Sequence, residues 1–228
     1  MPDMEPTNVH DQIKDIKTQL RLFMNGAVSH SMRDKGLVYK LNFGVELPRI
    51  KEIAARYPKD HQLAQALWKE EIRECKILAG LLQPIETFCP EIADIWVESI
   101  RHTEIAELTS MNLFQHLPYA PSKSFQWIAS EQPFVQICGY LTIARLLQKR
   151  GEMAERVENE FLDQAVTAFL CGNYPLRQAV VTALRCYMRQ GDEQAFSVCR
   201  RVERFAQATA EAEQQLYSVV QTEVSDQF

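Results

Sequence analysis

Between Asp60 and Pro84 apolar residues recur at helical spacing, and the pattern then repeats to the C-terminus. This constrains the fold more than any other feature. In DHQLAQALWKEEIRECKILAGLLQP, Leu63, Ala66 and Leu67, then Ile72, Ile77, Leu78 and Leu81, fall at steps of three and four. Such steps place side chains on one face of a helix, so each stretch carries a stripe that must be covered. Asp60 stands where an N-cap acceptor belongs. Pro84, which lacks an N–H and cannot continue a helix, stands as a stop. The same grammar predicts helices over Pro90 to Ile105, Pro121 to Ala129, Phe134 to Leu147, Val157 to Leu170, Leu176 to Met188 and Ala195 to Val220. No strand-like alternation competes, so the chain is expected to be all-α, a solenoid of antiparallel helical hairpins.

With 228 residues, 46% of them hydrophobic, the chain has enough material for a substantial core. The only Pro-dense interval, Leu117 to Ser124, is about as long as an ordinary interhelical connection, so one domain over residues 1–228 is expected, with residues 1–8 flexible. No segment approaches the roughly 20 uninterrupted apolar residues of a membrane span, and the opening residues carry no basic region leading into an apolar run. A soluble, cytoplasmic protein with no membrane partner is the expectation.

Cofactor chemistry finds little support. Cys75, Cys89, Cys138, Cys171, Cys186 and Cys199 form no Cys-x-x-Cys pair, and the five histidines are scattered over different elements. Reduced thiols, mostly small core residues, are expected, with no metal. The eight glycines are widely spaced and form no phosphate-cradling loop, which disfavours a nucleotide cofactor. Trp68 and Trp96 stand among apolar helix positions and suit interhelical packing. Trp127 follows Lys123, Phe125 and Gln126 near a helix start, where an indole is either a core residue or an exposed contact for DNA.

The stretch Phe43 to Leu82, FGVELPRIKEIAARYPKDHQLAQALWKEEIRECKILAGLL, resembles the N-terminal half of the AlkD-type DNA alkylation-repair proteins. In that family a Gly-Val-x-x-Pro turn leads to a short helix, a Leu-Trp helix and an Arg-Glu-x-x-x-x-Ala helix. The matching positions are Gly44, Val45 and Pro48, then Leu67 and Trp68, then Arg73, Glu74 and Ala79. Leu176, Arg177, Gln178, Ala179, Ala183, Leu184 and Arg185 are similar to the family's closing motif. The resemblance covers roughly Gly36 to Gly191, thinnest in the middle. It implies a HEAT-like α-α superhelix that curves around duplex DNA, and an ancestral activity of alkylated-purine excision.

The family's catalytic positions are mostly changed here. The helix that pairs a Trp with an Asp four residues later aligns with Thr103 and Glu107. The Trp and nearby Arg of the next repeat fall in EQPFVQICGY, giving Phe134 and then Gln136 or Ile137. The second aromatic wall of the closing motif falls on Thr182. Loss of an alkylated purine builds positive charge on sugar and base, which a nearby carboxylate stabilises and aromatic faces hold. Glu107 supplies a carboxylate, but its extra methylene displaces the charge, and a shift on the order of 1 Å costs about a hundredfold in rate. Glu107 is therefore the candidate catalytic residue, with excision weak or lost. Its other reading is an exposed helix carboxylate beside Glu104.

Charge gives a separate view of nucleic-acid binding. The net charge is -5, unfavourable for phosphate neutralisation, and between Glu86 and Glu107 six acidic residues stand against Arg101. From Asn173 to Gln207 six arginines outnumber Asp192, Glu193 and Glu203. Arg185 and Arg189 share a helix face, and Arg177 falls within about 80° of it at 3.6 residues per turn. Arg177, Arg185 and Arg189, with Trp127 and Phe134, are thus the candidate DNA contacts, or else a solvated face offsetting helix dipoles. Two function classes stand: a DNA-binding relative of the alkylation-repair glycosylases, with duplex DNA as partner, and a non-enzymatic scaffold for another protein.

Overall fold

The computed structural model describes residues 8–149, 153 and 155–225. Among these, thirteen α-helices and three short 3-10 turns account for the regular structure. Extended pairing is limited to an isolated parallel bridge between Leu41 and Ile72. The helices are α1 (Val9–Leu22), α2 (Gly26–Asp34), α3 (Leu47–Ala54), α4 (His61–Lys69), α5 (Arg73–Leu82), α6 (Pro90–Ser99), α7 (Thr103–Asn112), α8 (Ala120–Ile128), α9 (Pro133–Gln148), α10 (Glu155–Cys171), α11 (Tyr174–Met188), α12 (Asp192–Val202) and α13 (Glu211–Ser225). None is long and apolar enough to cross a membrane. Of the opening segment expected to be flexible, residues 1–7 lie outside the described residues. Asn8 is the N-cap of α1, its side chain accepting from the His10 N–H.

The chain divides into two compact units, one ending at Trp96 and the other beginning at Val97. In the first, α4 and α5 form a hairpin on which α1 and α3 pack. Asp60 caps α4 by accepting from the Leu63 N–H at 2.7 Å. Leu63, Leu67, Ile77 and Leu78 of the apolar stripe are buried, and Ala66 and Leu81 sit at its margin. Trp68 and Trp96 are buried as a parallel stack, centroids 3.9 Å apart, with Phe88 edge-on to Trp96 at 4.9 Å.

The two motifs of the N-terminal half meet in this unit. Glu74, fully buried, accepts from the Phe43 and Val45 N–H groups at 3.2 Å each. Arg73 donates to Glu74 at 3.1 Å and to the Val45 carbonyl at 3.0 Å. The Arg-Glu pair therefore clamps the Gly-Val turn. Gly44 itself has φ 70°, and a Cβ there would lie 2.2 Å from the Asn25 carbonyl oxygen, so glycine is required on both counts.

In the second unit α9 is the central helix, with α7, α8 and α11 packed against it. Ten of its sixteen residues are buried, including Ile137, Cys138 and Tyr140. Gly139 permits the close crossing with α8, because a Cβ there would meet Ile128 Cγ2 at 2.6 Å. Thr142 donates to Ser110 at 3.2 Å and ties α9 to α7 in the interior.

Two sequence expectations require correction. The helix expected over Pro90 to Ile105 is two helices. The chain turns extended at His102, and Arg101 Nη1 donates to the freed carbonyls of Glu98 and Ile100. The span Ala195 to Val220 is likewise divided into α12, a 3-10 turn over Glu203–Phe205, and α13. Its apolar period survives the break because Val202, Phe205 and Leu216 are all buried.

Candidate functional site

Three of the positions aligned with the family's catalytic constellation come together. Thr103 and Glu107 on α7, Leu141 on α9, and Tyr174, Pro175, Gln178, Ala179 and Thr182 on α11 line one hollow of ≈ 360 Å³. Local structure accounts for this. Thr103 opens α7, so Glu107 lies one turn further along the same face. Tyr174 and Pro175 open α11, where Asn173 caps by accepting from the Leu176 N–H at 3.2 Å. Gln178 and Thr182 follow on the next two turns. Both helices therefore present their N-terminal ends, which carry partial positive charge, at the hollow.

Glu107 keeps contact with solvent at this hollow. The protein around its carboxylate nevertheless displaces enough water to raise its pKa above the ordinary 4.5. Arg145 opposes that rise and Glu104 adds to it. Arg145, half-buried on α9 and donating to Gln148 at 3.2 Å, is thus a cation at the site that the sequence did not reveal.

Thr182 is half-exposed, and its hydroxyl is committed to the Gln178 carbonyl at 2.8 Å. The aromatic present is Tyr174, 70% exposed. Its signal in the sequence was Asn-Tyr-Pro, an aromatic between an N-cap and a first-turn proline, which helical periodicity passes over.

Other candidate residues are placed differently. Trp127 is 3% exposed and packs on Phe114 with centroids 5.2 Å apart, so it is a core residue with no face to offer DNA. Phe134 is half-buried at the start of α9. Next to it, Gln136 lines a separate hollow of ≈ 650 Å³ with Pro133, and Ile137 is buried in the core.

The arginines of α11 face the C-terminal helix. Arg177 donates to the Phe169 carbonyl and to Gln215, each at 3.0 Å, with its guanidinium 5.4 Å from the Phe169 ring centroid. Arg185 is bidentate on Glu223, and its Nε donates at 2.6 Å. Arg189 remains exposed and lines a polar hollow of ≈ 720 Å³ with Glu158, Tyr187 and Gln194. Two members of the expected phosphate stripe are therefore bonded to α13.

The two larger hollows contain none of Thr103, Glu107 and Thr182. We take the smaller as the candidate site because aligned positions from two separate helices, a carboxylate with a raised pKa and an exposed aromatic converge there. The described residues hold no group of three or more His, Cys, Asp or Glu side chains suited to a metal ion.

The sequence model of a family described as DNA alkylation repair enzyme matches residues 16–187, well over half of the chain. The chain belongs to this family. No curated protein matches it. One solved structure is similar, with a TM-score of 0.73 over 82% of each chain at 15% identity. It is described as a new family of proteins related to the HEAT-like repeat DNA glycosylases with affinity for branched DNA structures. At that identity the likeness establishes a shared HEAT-like fold. Relation to the DNA alkylation-repair family, read from Gly44, Val45, Pro48, Arg73 and Glu74, is thereby borne out.

Proposed function

We propose that this member of the family binds DNA and that its alkylpurine excision is weak or lost. The observation carrying this reading is the composition of the hollow. A carboxylate, Glu107, is present where the family's chemistry requires one, but threonines occupy the flanking positions at Thr103 and Thr182. A cationic base would meet the carboxylate without indole faces to hold it, and partial desolvation raises the Glu107 pKa above its ordinary value. Binding and chemistry therefore separate: hollow and fold are kept, while the groups that stabilise the excision transition state are reduced. The branched-DNA affinity described for the solved relative supports DNA as the partner class.

A protein-scaffold reading draws on one observation, the engagement of Arg177 and Arg185 by α13, which removes two cations from a phosphate surface. Fluorescence anisotropy with labelled duplex and three-way-branched DNA at low salt separates the two. DNA binding that weakens linearly in log Kd with log salt is the expected result. Absence of binding to both at low salt refutes the proposal in favour of the scaffold.

A further inference from the structure

The geometry points to α13 as an autoinhibitory cover: Glu223 engages the guanidinium of Arg185 as a DNA phosphate would, and so restrains DNA binding by α11. This rests on the DNA-binding reading and adds its regulation.

The first argument is where Arg185 stands. It follows Gln178 by seven residues, and Arg189 follows Thr182 by seven. Seven residues fall about 20° short of two full turns, so both arginines continue the face that lines the hollow, about 10 Å further along α11. A duplex carries a phosphate charge every ~1.7 Å of its axis, so one lying over the hollow extends past both arginines. Arg177 stands about 100° from Gln178 and lies off this face.

The second argument is what Arg185 meets. Carboxylate and phosphate both match the fork of a guanidinium, two parallel N–H donors on two oxygens. Glu223 accepts from Arg185 Nε at 2.6 Å and from Nη2, which is that bidentate form. The Arg185 side chain is 39% exposed and that of Glu223 13%, so the arginine sits at the surface with its charge already matched. Arg189 acts electrostatically on the same carboxylate. Within α11 there is no Asp or Glu, whereas α13 has three Glu and no Lys or Arg, so an acidic helix lies against a cationic one.

The third argument is how lightly α13 is held. Of its fifteen residues Leu216 and Val220 are buried, against ten of sixteen in α9. Gln215, accepting from Arg177 at 3.0 Å, and Glu223 tie it to α11. Elements with few buried apolar contacts lie at the low-stability end of a fold and open locally. The cover can therefore lift while α9 and its neighbours stay packed, and lifting it returns Arg185 to the DNA-facing surface.

The test measures binding of a labelled paired duplex by the full chain across a salt series. Glu223→Gln keeps an acceptor oxygen for Arg185 but removes the charge. It should tighten binding by on the order of fivefold at about 0.1 M salt and steepen the salt slope by about 0.9, the increment for one more phosphate neutralised. That gain should vanish when Glu223→Gln is combined with Arg185→Ala. Glu211→Gln, the same charge change at the other end of α13, should leave the slope unchanged. If α13 comes loose in Glu223→Gln, the gain still runs through Arg185, so the double variant decides in either case. Unchanged affinity and slope in Glu223→Gln, or a gain that survives Arg185→Ala, overturns the inference, while salt-dependent binding by the wild type keeps the DNA-binding reading. No binding by the wild type or any variant would defeat both.

Discussion

Removing the buried carboxylate at Glu74 should be among the most damaging single changes in the N-terminal unit. Glu74 is 0% exposed, and its two oxygens accept from the Phe43 and Val45 N–H groups and from Arg73, itself 5% exposed. Glu74→Ala leaves a buried guanidinium without its carboxylate, a change that costs about 3–5 kcal/mol where one partner of a buried pair is removed. Each backbone N–H left unsatisfied adds about 1–3 kcal/mol, although the turn can relax toward water and the costs overlap. A total near 5 kcal/mol follows, and at about 2–4 °C per kcal/mol for a chain of this size the transition should fall by roughly 10–20 °C. The Trp68–Trp96 stack lies in the same unit, and its near-UV circular dichroism reports that transition locally. Glu74→Gln keeps the volume and one acceptor oxygen and should lose less. A fall of less than about 2 °C for Glu74→Ala would refute the clamp, since neither the buried charge nor the freed N–H groups could then be as costly as argued.

Two further outcomes follow from the C-terminal helix. Hydrogen bonding and charge from Arg185, with Arg189 adding to them, hold the Glu223 pKa below the ordinary 4.5. The attachment this gives α13 is present above that value and lost as pH falls through the folded pKa, so the protection of α13 amides, measured against their intrinsic exchange rates at each pH, should fall on acidification, and Glu223→Gln should remove that fall. Persistence of the acid response in Glu223→Gln would assign it to another group. In DNA binding, Arg189→Ala should reduce the salt slope by about 0.9 if the residue contacts a phosphate, whereas Arg185→Ala, whose charge Glu223 already neutralises, should change it less. The opposite order would mean that α13 leaves its place when DNA binds.

How much of this was legible in the sequence depends on the range of the interactions involved. The helices from α4 onward carry stripes that their own packing requires, so Leu63, Leu67, Ile77 and Leu78 announced themselves. The N-terminal helices gave weaker signals. α2 buries none of its residues, so nothing in its composition had to be periodic. The break at Ile100–His102 depends on Arg101 bonding carbonyls that a helix would otherwise use, which spacing does not record. In the candidate site, motif alignment located Thr103, Glu107 and Thr182, and packing of α7 and α11 on α9 brought them to one hollow. Arg145 was hidden because its relation to Glu107 runs between helices. The arginine stripe was visible as a stripe, but its partner Glu223 lies 38 residues from Arg185, beyond any local pattern. Tyr174 escaped notice because exposure, rather than periodicity, is what distinguishes it.

The proposed loss of excision rests on the threonines, Thr103 and Thr182, that stand beside Glu107 at the aligned aromatic positions. The most direct test is single-turnover base release from duplex DNA containing 7-methylguanine or 3-methyladenine, with enzyme in excess and spontaneous depurination measured in parallel. The account predicts release indistinguishable from, or only slightly above, the spontaneous rate for the wild type, with no change in Glu107→Gln. Rapid release that Glu107→Gln abolishes would contradict it, by showing that the carboxylate alone suffices at this site.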